Sequence, residues 1–365
     1  MAAAPVAPNV AGDIPVAVPI ALTATGRQRA GPQNPLKHAG RHFARTVDMF
    51  VLPAVVVNAG IEFDPNRSPL ECSPEEQRNH KSWDALLRIV PNLTAMLADP
   101  TVQNPISTIT TALLAGSNAA RADDTRSIKI AVVEWLADDL KAAGVTLNPK
   151  TKPQRGFLNE VTGRLLCPVV LDYDDPSIRS LLESHQATID GEPVNGSDWP
   201  NFVFDQQGLN PAQPWVNFLR GRLIILAFRH IFISPSSALG DDELEGTRGT
   251  RTGNAALHGM MSVTPGSIIY AATHVHFALS SAAVFNKNNQ NNDTVVFHRA
   301  LVAFFEDPLF AAPVADMLTW WNRVIFPTAH QGLATGTINR GLVQMQAAMQ
   351  AAMQQGEAAN GAPAQ

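Results

Sequence analysis

Residues 264–285 read TPGSIIYAATHVHFALSSAAVF. A threonine ahead of a proline is a helix entrance: the hydroxyl caps free N–H groups, and a proline in the first turn loses no hydrogen bond. The run behind it carries the helical apolar period, so a helix is expected. A second stretch, WVNFLRGRLIILAFRHIFI, follows Pro214 and is stopped by Ser234-Pro235. Its apolar residues circle the helical axis, which marks it as central and buried.

The same period recurs outward from these two stretches. Ser73-Pro74-Glu75-Glu76 has the spacing of a capping box, and its helix runs through Trp83, Leu86, Leu87 and Val90 to Pro91. Asp124 is read as the cap of a helix carrying Ile128, Val132, Trp135, Leu136 and Leu140, ending before Gly144. Asp293 and Pro313 introduce two more, ending near Phe305 and Phe326. Strand signals are few, with Leu165–Leu171 a short extended candidate. The expected fold is all-α: a helical domain over 35–330 with a loop-rich insertion at 145–210. Trp83, Trp135, Trp215 and the Trp320-Trp321 pair are expected in its core.

Two tails flank the domain. Residues 1–34 form a Pro- and Ala-rich arm, and 331–365 an Ala/Met/Gln-rich tail with a short helix over 337–355. Leu342, Met345, Met349 and Met353 share one side of that helix and suit self-association, or folding back onto the domain. The end of the arm is basic. Arg27, Arg29, Lys37, Arg41 and Arg45 face a single acid, Asp13, before residue 47. The whole chain of 365 residues carries −5, so the remainder carries −9. Such an arm can contact nucleic-acid phosphates or dock on the acidic body of its own or a sister chain.

Composition narrows the chemistry. Hydrophobic residues at 45% can fill a core, and the negative total argues against a globally basic nucleic-acid binder. Two cysteines supply neither a disulfide framework nor a four-cysteine zinc site. No run of about 18 apolar residues is available to span a membrane. Prolines and Asp13 break the N-terminal apolar stretch as an export signal, so an intracellular location, cytoplasmic or nuclear, is expected. No G-x-S-x-G is present, and Cys167 sits in an apolar setting that raises a thiol pKa.

The best anion candidate is EGTRGTRTGN, 245–254, which joins glycines to guanidiniums and hydroxyls without the P-loop pattern. Arg248, Arg251, Thr252, Asn254 and the nearby His258 are its candidate ligands. The alternative is a surface loop whose arginines answer Asp241, Asp242, Glu243 and Glu245. His274 and His276 would share a face on a strand but lie about 200° apart on a helix, so they are read as one buried and one exposed ring. Asp123 and Asp124 read as helix-start acids, and Asp172, Asp174 and Asp175 as turn and cap residues. No catalytic residue, metal set or cofactor is assigned.

Several strings together carry a family resemblance: KHAGRHF at 37–43, ARADDTRSIK at 120–129, RGFLNEVTGRLLCP at 155–168, FRHIFISPSS at 228–237, TRTGNAALHGM at 250–260, FALSS at 277–281 and WWNR at 320–323. Over about residues 36–327 the chain resembles a large uncharacterised family of mushroom-forming (basidiomycete) fungi, labelled a domain of unknown function. The resemblance implies a kingdom and no mechanism. It also implies a single basic residue where this chain has His274 and His276, which argues against a metal role. Three functional readings follow: a non-catalytic binding or self-assembly protein, a nucleic-acid-associated protein using the basic arm and the Arg248/Arg251 loop, or an enzyme of unfamiliar type centred on Arg121, Arg251 and His258.

Overall fold

A computed structural model describes residues 34–64, 66–68, 71–238, 253–283 and 293–327. Arg27, Arg29, Arg248, Arg251, Thr252, Leu342, Met345, Met349 and Met353 lie outside the described residues. The fold is all-α; among the described residues the strands amount to one hairpin, Thr188–Ile189 against Glu192–Pro193.

Its longest member is α5, Pro105–Trp135, 31 residues and so about 46 Å end to end. One face of α5 is buried at Ile109, Leu113, Ser117, Ala120, Asp124, Ile128 and Trp135. Helix α1, Pro35–Thr46, lies against it. Two glycines make that approach possible: a Cβ on Gly40 would stand 2.0 Å from the Leu113 carbonyl oxygen, and one on Gly116 2.0 Å from that of Lys37. The space left is used by a hydrogen bond from Ser117 Oγ to Gly40 O at 3.0 Å. Helices α2, Pro53–Ile61, α3, Pro74–Ile89, and α4, Leu93–Leu97, complete this end around Phe43, Val56, Val57, Leu86 and Leu113. The Ser73 capping box of α3 forms as expected.

The larger core surrounds α11, Pro265–Leu279. Every residue from Ser267 to Leu279 is buried, because α1, α5, α12 (Asp293–Glu306), α9 (Arg222–Phe228) and α7 (Glu160–Leu166) pack about it. Thr264 caps α11 reciprocally with Ser267 and donates to the carbonyl of Thr46 at the end of α1. Short helices α6, Ala137–Ala142, α8, Pro176–Glu183, and α10, Asn254–Leu257, and the final α13, Ala311–Ile325, fill the periphery. Trp135 and Trp321 are buried in this core, Trp320 packs against it, and Trp83 belongs to the smaller core around α3.

Four local expectations are corrected. Asp124 starts no helix; it lies buried in the middle of α5, which begins at Pro105 and whose buried face carries small residues, Gly116, Ser117 and Ala120, just ahead of it, with Gly116 against the α1 backbone. The stretch after Pro214 is not helical until Arg222: Asn217 and Leu219 take positive φ of 69° and 55°, and Trp215 is 40% exposed. Leu165 and Leu166 end helix α7, which Asn159 opens by capping Val161 and Thr162; only Pro168 of that segment pairs as an isolated bridge, with Pro200. His274 and His276 are both buried, since no face of α11 reaches solvent.

Candidate functional site

At the start of α11 the structure joins residues that the sequence offered as separate candidates. Arg45 of α1 grips Asp124 with two bonds, Nε to Oδ2 at 2.8 Å and Nη2 to Oδ1 at 2.9 Å. Its Nη1 donates to Asn254 Oδ1 at 2.9 Å, and Tyr270 donates its hydroxyl to Asp124 Oδ2 at 2.7 Å. Asn254 in turn donates to the carbonyl of Ile231. Burial opposes the charge on Arg45, and the adjacent Asp124 carboxylate more than offsets it, so the guanidinium pKa rises. Burial, with Asp124 beside it, holds the Tyr270 phenol far above its usual value. Four elements are tied by one ion pair.

Around this network the α1 face turns outward. Arg41 pairs with Asp123 at 3.0 Å, Asp123 also receives Arg126 at 3.0 Å, and Lys37 is exposed. His258 stacks on His42 with ring centres 4.1 Å apart. Burial, then the partner ring and Arg45, pushes His42 down to about 3; burial and Arg45 push His258 down to about 4. Arg121 is directed elsewhere, to the carbonyl of Met49 at 2.8 Å and to Asn118 at 2.7 Å. Asn254 and His258 thus come to α1, while Arg121 and His258 engage different partners.

The other end of α11 is built differently. Lys152, 4% exposed, donates to the carbonyls of Phe277 and Ala282 and lies over the Phe277 ring. Arg155, 1% exposed, donates to Ala278 O at 2.7 Å and Lys129 O at 2.9 Å. Burial pushes the Lys152 pKa down, with Arg155 and Lys129 adding to it. The carbonyls at the negative end of the helix act in the opposite sense. Neither cation has a carboxylate partner among the described residues.

In front of Ser280 and Ser281, which follow α11, a pocket of about 160 Å³ opens between α7, α8, the 194–200 loop and the start of α12. Leu166, Leu182 and Ala187 line its apolar side, and Glu183, Asp198 and Asp293 are its carboxylates. His276 also lines it although 93% buried: its Nδ1 meets Thr294 Oγ1 at 3.0 Å, and Nε2 has no hydrogen bond among the described residues. Burial, then Lys152, pushes the His276 imidazole down to about 3. Burial raises the Asp293 carboxyl, against His185 and the Gly196 N–H, which lower it. Sequence reasoning treated Asp293 as a helix start and His276 as one of a pair with one ring buried and one exposed, and passed over Glu183, His185 and Asp198. Nothing local marks them, because the pocket gathers six separated segments.

Among the described residues no cluster of three or more His, Cys, Asp or Glu side chains is arranged to hold a metal. The buried Cys167 thiol is pushed up to about 11, first by burial and then by Asp172, as its apolar setting predicts. No helix among the described residues is long and apolar enough to cross a membrane. A family model described as a family of unknown function (DUF6698) matches residues 115–326. No curated protein and no solved structure matches the chain.

Proposed function

The chain belongs to the DUF6698 family of unknown function, and from its geometry we propose a non-catalytic binding protein whose ligand enters the pocket beside the C-terminal end of α11. One observation carries this reading: His276, a 93% buried imidazole, lines the pocket, and among the described residues its hydrogen bond is from Nδ1 to Thr294, with none to Nε2. Elsewhere, buried charge is engaged by structure, as in Arg45, Lys152 and Arg155. Small-fragment screening of the full chain by ligand-observed NMR tests it, beside a Ser281→Trp variant that crowds the exposed rim. Hits lost in the variant support the proposal. Their absence, or equal binding to both proteins, overturns it.

A second reading within the same class is self-association. Helix α2, PAVVVNAGI, contains no charged residue, and it leaves Val55 and Ile61 exposed beside Leu52 and Phe63. Apolar side chains on both faces of a helix mark one that is covered on both. The favoured occupant is a second copy, because two uncharged α2 faces meet without like-charge repulsion and homodimer interfaces are the more apolar kind. Light scattering should show a mass above 39.2 kDa that falls to monomer in Ile61→Glu. A monomer at all concentrations removes this reading, and a monomer whose Ile61→Glu form melts lower assigns the face to the chain's own C-terminal segment.

The nucleic-acid alternative has weaker support, since Arg41 and Arg45 already face Asp123 and Asp124 and Lys37 is the exposed described member of that set. The enzyme alternative has no joint site for Arg121 and His258 to support it. A basidiomycete source and an intracellular location belong to the same proposal, the first supported by the blocks between 37 and 323 and the second by the cysteine usage.

A further inference from the structure

We propose that the pocket takes a small organic cation, a protonated amine on a compact apolar body, and this rests on the binding reading above. The volume sets the size. About 160 Å³ is close to a cavity that accommodates benzene. The lining sets the polarity. Leu166, Leu182 and Ala187 offer an apolar wall, and among the described residues no carboxylate at the pocket has a Lys or Arg partner.

Among the described residues Asp198 accepts only the Asn195 N–H, at 2.8 Å, and Asp293 is lined up with the Gly196 N–H. Asp198 is half-buried and Asp293 is exposed at the opening; a carboxylate with one neutral donor has capacity for a charged one, and a charge-assisted bond is the stronger kind. Among the described residues the charged groups facing this space are Glu183, Asp198, Asp293 and His185, with Lys152 behind Ser280. Lys152 is directed away, into the carbonyls that end α11.

His276 gives an independent indication. It is neutral, and in the tautomer with Nδ1–H donating to Thr294, Nε2 is a bare acceptor. A ligand N–H selects that tautomer. Two carboxylates and a ring nitrogen are then three acceptors around one opening, and the complementary ligand is a donor that carries positive charge.

The test uses three probes of one shape and different charge, benzylamine, benzyl alcohol and benzoate, titrated into the full chain by calorimetry and ligand-observed NMR. Benzylamine should bind most tightly, lose binding in Ser281→Trp, and bind about tenfold more weakly to Asp293→Asn, the loss of roughly one charge-assisted bond. Asp198→Asn serves as a second acid variant, and circular dichroism checks that each variant is folded. Benzyl alcohol or benzoate binding as tightly as benzylamine, sensitive to Ser281→Trp, overturns the cation inference and leaves the binding reading standing. Unchanged benzylamine affinity in both acid variants also overturns it. Failure of all three probes to give a signal sensitive to Ser281→Trp, in a screen where other fragments do, overturns the cation inference alone; failure of every fragment overturns both.

Discussion

The two ends of α11 bury charge by opposite means. At the start, Arg45, Asp124, Tyr270 and Asn254 satisfy one another across four elements, and little remains for a ligand. At the end, Lys152 and Arg155 are held by backbone carbonyls, while among the described residues the carboxylates of the adjoining pocket have no Lys or Arg partner. A closed network spends its polar capacity on the fold, and an open one retains it for something else. The comparison separates residues by role: the sequence makes both sets look alike, but their partners do not.

Acid is the strongest lever on the closed end. Burial lowers the pKa of His42 to about 3, and of His258 and His274 to about 4, from 6.5. A lowered histidine pKa means that the unfolded chain binds the proton first, so unfolding takes up protons between the two values. Stability therefore falls as pH drops below 6.5 and continues to fall to about 4. Each such histidine contributes up to about 1.4 kcal/mol per pH unit in that window. Urea midpoints from pH 7 to 4.5 should fall steeply, and His42→Phe should make the slope shallower. Equal slopes in the two proteins would show that the stacked pair admits protons without cost.

Next in size is Arg45→Met. It leaves the Asp124 carboxylate buried with Tyr270 as its remaining side-chain donor, and stranding a buried charge costs about 3–5 kcal/mol. Adding Asp124→Leu should recover part of that loss, because it removes the stranded charge and leaves only neutral groups, the Tyr270 hydroxyl and the Asn254 amide oxygen, without that partner. A double variant no more stable than Arg45→Met would mean that the network's worth lies in packing and not in charge.

How far these roles could be read from sequence depends on whether the signal is local. Ser73, Thr264 and the prolines behind them announce α3 and α11, since a cap needs only its own first turn. Asp124 misleads for the same reason. An acid ahead of TRSIK resembles a cap, while its actual partner, Arg45, is 79 residues away. The apolar run after Pro214 fails through backbone geometry, as Asn217 and Leu219 turn left-handed and hold the helix back to Arg222. Asn254 and His258 were legible as polar candidates and illegible as partners of Arg45 and His42. The pocket was not legible at all: Glu183, Asp198, His276 and Asp293 are ordinary residues until the fold assembles them.

A smaller effect is expected at the open end of α11 for Lys152→Met. The carbonyls of Phe277 and Ala282 lose a donor, but no opposite charge is left behind. Unsatisfied buried acceptors cost about 1–3 kcal/mol in all, less than the Arg45 variant. Denaturant unfolding of the two variants side by side checks the order. A Lys152→Met loss as large as that of Arg45→Met would erase the distinction between charge held by carbonyls and charge held by a carboxylate.

The smallest effect belongs to Asp293→Asn. Burial raises this carboxyl's pKa, so in the folded chain the ionised form is disfavoured relative to the unfolded one. The sign is the reverse of a salt-bridged acid: above its folded pKa the group works against stability, and the penalty fades as pH falls and the proton returns. Asparagine removes the charge and keeps an oxygen for the Gly196 N–H. Its effect at pH 7 should be within about 0.5 kcal/mol, on the stabilising side, as for a substitution outside the core. At pH 3 the wild-type carboxyl is itself largely neutral and the two melting temperatures should converge. A clear loss of stability at pH 7 would show that Asp293 is paired within the protein, and the open end of α11 would then be as closed as the other.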